Sequence, residues 1–215
     1  MNRRRSLKVA RNPPRQPRSR ATVAAILDAM IRVLDREGSD AATTTRVAEV
    51  AGCSVGTLYQ YFSNRDAILD ALQDRELARA TELMHGVLAR GANGSGAEVA
   101  RAVVTGLLDL YAAAPALHRV LVIEGLRVTP PDRVQAFDVR VVNLIRAFLG
   151  STSIAIRRRN LDAAAFVIYQ SVRATMLARL LEAPPQIDDE TLIEELTDLV
   201  LRYLVEDRAR AEGTG

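Results

Sequence analysis

Residues 43–62, TTTRVAEVAGCSVGTLYQYF, crowd hydroxyl, amide and small side chains into one short run. Thr44, Thr45, Ser54, Thr57, Tyr59, Gln60 and Tyr61 can all hydrogen-bond without carrying charge. Such groups suit phosphate oxygens and base edges better than proton or electron transfer. At about 100° per helical residue, Phe62 falls about 40° from Leu58, while Gly56, Gln60 and Thr57 fall about 160°, 200° and 260° away. Leu58 and Phe62 are therefore expected to pack on Val47, Ala48 and Ala51. The opposite face holds no acid to repel phosphate. Two short helices joined by a glycine-containing turn form the layout that lays one helix in a major groove.

No catalytic set competes with this reading. The chain has one cysteine, Cys53, and two histidines, His85 and His118, with no Gly-rich phosphate loop and no G-x-S-x-G elbow. An enzyme would have to build on Glu124 or Asp109 near His118. Neither histidine neighbours a cysteine or paired carboxylates, so no metal and no cofactor is expected. A lone cysteine forms no internal disulfide and points to a reducing compartment. No apolar stretch approaches the roughly 18 residues a bilayer requires, and Pro13, Pro14 and Pro17 interrupt any secretory leader. The expected location is the cytoplasm, with no membrane partner.

The elements that must carry these residues are helical. Aromatics are only 4% of the chain, and β-branched residues rarely alternate with polar ones. Val23, Ile26, Leu27, Met30, Ile31 and Leu34 mark a first helix stopped by Gly38. Thr43–Thr45 offer caps for a second helix through Ala51. Gly52 can turn left-handed, and Ser54 can cap a third helix to Phe62. Ser63 with Asp66 resembles a capping box opening a fourth helix to about Arg90, and Gly91–Gly96 reads as a loop. Further helices are expected over about 97–114, 116–128, from Asp132 past Phe148, 161–182 and 189–207, with 150–160 irregular. The fold class is all-α.

Charge is uneven. The net charge is +3, yet the first 20 residues hold eight of the 29 basic side chains and no acid. The rest is therefore net acidic. The arm, residues 1–17, suits phosphates or the minor groove, or else acts as a solubilising tail. A non-specific architectural DNA binder is the alternative reading, and the acidic body argues against it. A helical protein that binds only small ligands would leave residues 43–62 unexplained.

The pattern Val47-Ala48…Ala51-Gly52-Cys53-Ser54…Gly56-Thr57-Leu58-Tyr59…Tyr61-Phe62…Asn64-Arg65-Asp66…Leu69 resembles the N-terminal signature of tetracycline-repressor (TetR) family regulators. The resemblance covers roughly residues 18–72. Arg65 stands where the family usually has lysine, and Cys53 where valine is commoner. The resemblance implies a nine-helix architecture: a three-helix DNA-binding domain over 18–66 and a ligand-binding and dimerisation domain over 67–215. It implies that Thr44 and Thr45 lie near phosphates, and that Val55, Gly56, Thr57, Tyr59, Gln60 and Tyr61 approach DNA. Arg65 would clamp a phosphate. Gln60 is the natural reader of a base edge, with adenine a natural partner.

One recognition helix reads few base pairs, so a homodimer on a palindromic operator is expected. The eighth and ninth helices are the interface candidates, through Phe166, Gln170, Ala174, Leu177, Leu181, Leu192, Leu196, Leu199 and Tyr203. Burial of these helices within their own chain is the alternative. The resemblance also implies a small-molecule effector, of unspecified identity, among helices 4–8. Polar or aromatic residues that interrupt apolar helices there are Tyr111, His118, Glu124, Arg127, Phe137, Arg140, Tyr169 and Arg173. Each is equally readable as a surface or satisfied core residue. A repressor is favoured over an activator because occlusion needs no contact with polymerase.

Overall fold

The computed structural model describes residues 17–91, 94–182 and 187–205. The basic arm up to residue 16, part of the loop between the fourth and fifth helices, and the end expected of the last helix (206–207) lie outside the described residues. Among the described residues there are nine helices: α1 Pro17–Glu37, α2 Thr44–Ala51, α3 Val55–Tyr61, α4 Arg65–Gly91, α5 Gly96–Ala112, α6 Pro115–Val128, α7 Pro131–Ser151, α8 Leu161–Glu182 and α9 Asp189–Leu204. The all-α expectation holds. The irregular stretch after α7 contributes only an isolated antiparallel bridge between Ile156 and Val205.

Local chemistry sets most helix ends. Thr43 caps α2 by accepting from the Arg46 amide, and Ser54 caps α3 by accepting from the Thr57 amide. Ser95 and Glu98 form a reciprocal capping box at α5, and Asp188 caps α9. Gly38 and Gly52 end α1 and α2 at φ +85° and +69°, a left-handed conformation that a β-carbon penalises. One expectation is corrected. Asn64, not Ser63, closes the start of α4, its Oδ1 accepting from the Ala67 amide at 2.9 Å.

The chain divides into two compact units. Among the described residues, one joins those up to Glu76 with Ala114–Pro130; the other joins those of 77–113 with those from Pro131 on. The first is held by a core in which Ile26, Met30, Val33, Val47, Leu58 and Ile68 are fully buried. Leu117 and Leu121 of α6 join that core. In the second unit α5 packs along α9 and α7 along α8. Val104, Val141, Ala165, Met176, Leu196 and Val200 lie at its centre.

Candidate functional site

The α2–turn–α3 segment is built from its buried side outward. Leu58 and Phe62 sit in the core with Val47 and Ala48, as the helical spacing requires. Burying a side chain of this size contributes roughly 2 kcal/mol, which holds the opposite face of α3 toward solvent. Gly56, Tyr59 and Gln60 are exposed there, with Val55, Thr57 and Tyr61 half-buried at its edges. Tyr59 is 45% exposed. Its hydroxyl lies 3.1 Å from Thr44 Oγ1, which ties the first turn of α2 to α3. Thr57 Oγ1 lies 2.8 Å from Ser54 Oγ, so both hydroxyls belong to the cap of α3. Thr45 is exposed beside Thr44.

Gly56 has no packing reason to be glycine. A β-carbon there would meet only Ser54 Oγ, at an ordinary 3.7 Å. Its φ is not among the positive ones. The backbone at the start of α3 is therefore left bare without need from the chain's own packing.

Arg65 is engaged by partners within the chain. Its guanidinium donates to Glu124 at 2.8 and 3.2 Å and to Ser39 Oγ at 2.7 Å. These bonds tie the start of α4 to α6. Arg127 extends the cluster, bonding both oxygens of Asp66 and one of Glu124. The Glu124 carboxyl is held below its usual range, first by the Arg65 hydrogen bond and against the upward push of burial. Glu124 and Arg127 thus sit in an ionic cluster of the first unit. His118 is also placed there, buried with its Nε2 3.8 Å from the Glu76 carboxylate. All three lie on α6 in the first unit and line neither cavity described below. Arg140 is exposed on α7 and lines neither cavity described below.

The remaining four expected pocket residues do converge. Tyr111, Phe137, Tyr169 and Arg173 line one cavity of about 100 Å3 in the second unit. The Tyr169 hydroxyl donates to the Asp138 carboxylate. Burial first, and then that bond, raise the hydroxyl's pKa. Burial also raises the pKa of Tyr111, and the nearby positive charge of Arg173 opposes it. Asp138 was missed from the sequence, where a lone acid on an amphipathic helix reads as part of a solvated face. An adjoining cavity of about 80 Å3 with an apolar wall was missed as well, since its residues follow ordinary core periodicity.

On α8, Phe166 and Leu181 are 54% and 45% exposed, and Ala174 is exposed between them. Gln170 and Leu177 are half-buried on that helix. Leu199 of α9 is exposed and Tyr203 half-buried. Leu192 and Leu196 are corrected: both turn into the chain's own core beside Ile193 and Val200, where a partner cannot reach them.

Comparison with known proteins agrees with this geometry. Residues 97–204 match the tetracyclin repressor-like C-terminal domain, and residues 26–72 match bacterial regulatory proteins of the tetR family. Over 63 residues the chain is 33% identical to the uncharacterized HTH-type transcriptional regulator YvdT of Bacillus subtilis (strain 168), covering 29% of this chain. That match spans about a third of the relative's length (32%). A TetR-family transcriptional regulator from Streptomyces coelicolor superposes with a TM-score of 0.59 at 25% identity, over 85% of this chain and 96% of the other. The fatty acid degradation regulator FadR from Bacillus halodurans has the same fold (TM-score 0.66, 18% identity, 88% and 97% covered). So has SmeT, solved as its triclosan complex (TM-score 0.65, 18% identity, 87% and 93% covered). With a matched C-terminal domain spanning half its length and a matched helix-turn-helix before it, the chain belongs to the tetR family of transcriptional regulators and carries that family's DNA-binding domain.

Proposed function

We propose that this regulator is a repressor that binds a palindromic operator as a homodimer and releases it when a small molecule enters the second unit. The outer face of α3 carries the proposal. It is uncharged, rich in hydroxyls, and includes a glycine that the chain's own packing does not need. Thr44, Thr45, Thr57, Tyr59 and Tyr61 donate to phosphates, with the amides of the capped helix start beside them. Gln60 reads a base edge, Val55 meets a thymine methyl, and Gly56 lets the backbone come close. Arg65 stands at the start of α4, where it pairs with Glu124, and is proposed to reach a phosphate from there.

The proposed division of labour is residues 18–66 for DNA and 67–215 for ligand and dimer, with the basic arm adding phosphate contacts. The dimer forms through the exposed apolar face of α8 with Leu199 and Tyr203 of α9. An effector shifts the equilibrium only if it binds the DNA-incompetent shape better than the competent one. The cavity around Tyr111, Phe137, Tyr169 and Arg173 is the proposed effector site, and SmeT with triclosan is a protein of the same fold that holds a small molecule. The protein acts by binding, without catalysis or a cofactor. We place it in the cytoplasm; among the described residues no single helix is long and apolar enough to cross a membrane.

Selection from a randomised duplex pool tests the reading. A palindrome should emerge that binds at least about 10³-fold better than random DNA. Recovery of no preferred sequence, from a protein proven dimeric at low salt, would leave the architectural alternative.

A further inference from the structure

The two cavities of the second unit share a wall. Met84, Val103, Ile145, Ile168 and Val172 line both. They are lobes on either side of one layer of apolar side chains, and Met84 is an unbranched, adaptable member of that layer. The lobes differ sharply in chemistry. The inner one runs from Leu88 and Val99 to Ile154, Ile156 and Leu204, and its wall is apolar throughout. A chamber of this kind offers water too few polar partners and takes hydrocarbon instead. The outer lobe adds the hydroxyls of Tyr111 and Tyr169 and the guanidinium of Arg173.

Among the described residues, Arg173 is the one charged residue in either wall. Its nearby acid does not fully satisfy it. Asp138 approaches Arg173 Nε at 4.0 Å, beyond hydrogen-bond range, and already accepts from the Tyr169 hydroxyl. A planar, partly exposed guanidinium beside an apolar cavity selects a carboxylate, which it can grip through two parallel hydrogen bonds.

We infer that the effector is an amphipathic acid, with a carboxylate held at Arg173 and an unbranched hydrocarbon chain passing Met84 and Val172 into the inner lobe. The inference rests on the reading of the second unit as the effector-binding half. Its test therefore measures binding without DNA.

The full-length protein is titrated calorimetrically with hexanoate, octanoate and decanoate, below micelle formation, and with decanol and decylammonium. Affinity should rise about fourfold per added methylene, the gain from burying one CH2 group. Decanoate should bind at least about tenfold better than decanol or decylammonium, the scale of one charge-assisted hydrogen bond. Arg173→Gln should remove that preference for the acid and leave decanol binding unchanged. Ala100→Leu, which fills the inner lobe, should abolish the gain from octanoate to decanoate. Circular dichroism checks that both variants keep their helix content. Affinity independent of chain length, or equal for acid, alcohol and amine, overturns the inference. Decanoate that binds as described without releasing the operator supports this site and overturns the effector reading above. Operator binding by a protein that ignores all five probes overturns the inference alone.

Discussion

Arg65 Nη1 lies 2.8 Å from Glu124 Oε2, although 59 residues separate the two in sequence. Each side chain is 24% exposed. The pair is thus sheltered without being sealed, and Ser39 and Arg127 add hydrogen bonds to it, although Arg65 Nε is left without one. It fastens the start of α4, which follows directly on α3, to α6 within the first unit. Its contribution to stability should be about 1 kcal/mol, the upper end for partly exposed pairs.

That pairing sets a pH dependence. The Glu124 carboxyl is depressed on folding, chiefly by Arg65. Its contribution is therefore fully present above the unfolded carboxyl range of about 4.3 and is lost as pH falls through the lower folded value. Glu124→Gln should destabilise the protein at pH 7 by about 1 kcal/mol and by less at a pH below the folded carboxyl value. Urea unfolding at the two pH values checks this, and an equal loss at both would exclude an ionic origin.

Gly56→Ala separates folding from recognition. A β-carbon meets no obstacle in the chain, and alanine favours helix over glycine by up to about 1 kcal/mol. The variant should melt no lower than wild type, yet lose about tenfold or more in operator affinity if backbone and DNA approach closely. Unchanged affinity in a mobility-shift titration would remove Gly56 from the interface.

Tyr59→Phe deletes one hydroxyl and leaves the ring. The lost contact with Thr44 is exposed, so stability should change by less than about 1 kcal/mol. A hydrogen bond to a charged phosphate contributes about 1.5–3 kcal/mol, so operator affinity should fall at least about tenfold. Equal affinity of the two proteins would assign the hydroxyl to the α2–α3 contact alone.

Leu181→Glu and Leu196→Glu should part company. Leu181 lies exposed on α8, whereas Leu196 is 4% exposed in the core. The first variant should stay helical and sediment as a monomer with weakened operator binding. The second should lose several kcal/mol, as a buried unpaired charge does, and unfold. A dimeric Leu181→Glu protein would move the interface elsewhere.

Much of this protein was legible locally. Thr43, Ser54, Gly38 and Gly52 act through bonds and dihedrals within a few residues, so their roles follow from residue type and spacing. Leu58 and Phe62 announce the buried side of α3 by one helical turn, and with it the outward face that makes the nucleic-acid reading. Even there, Asn64 took the cap expected of Ser63, since two adjacent candidates differ only in how the turn is finally drawn.

The amino-acid order by itself therefore determined the helices, their boundaries to within a few residues, and the face of α3 turned to solvent, because those depend on short-range hydrogen bonding and helical periodicity. Only tertiary structure decided which long-range partner each polar side chain found. Arg65 met Glu124 across 59 residues. His118 and Arg127 went with α6 into the first unit, while Tyr111, Phe137, Tyr169 and Arg173 gathered around one cavity. Leu192 and Leu196 turned inward where Leu199 did not. Charge and apolarity say that a side chain needs a partner; chain folding over tens of residues chooses it.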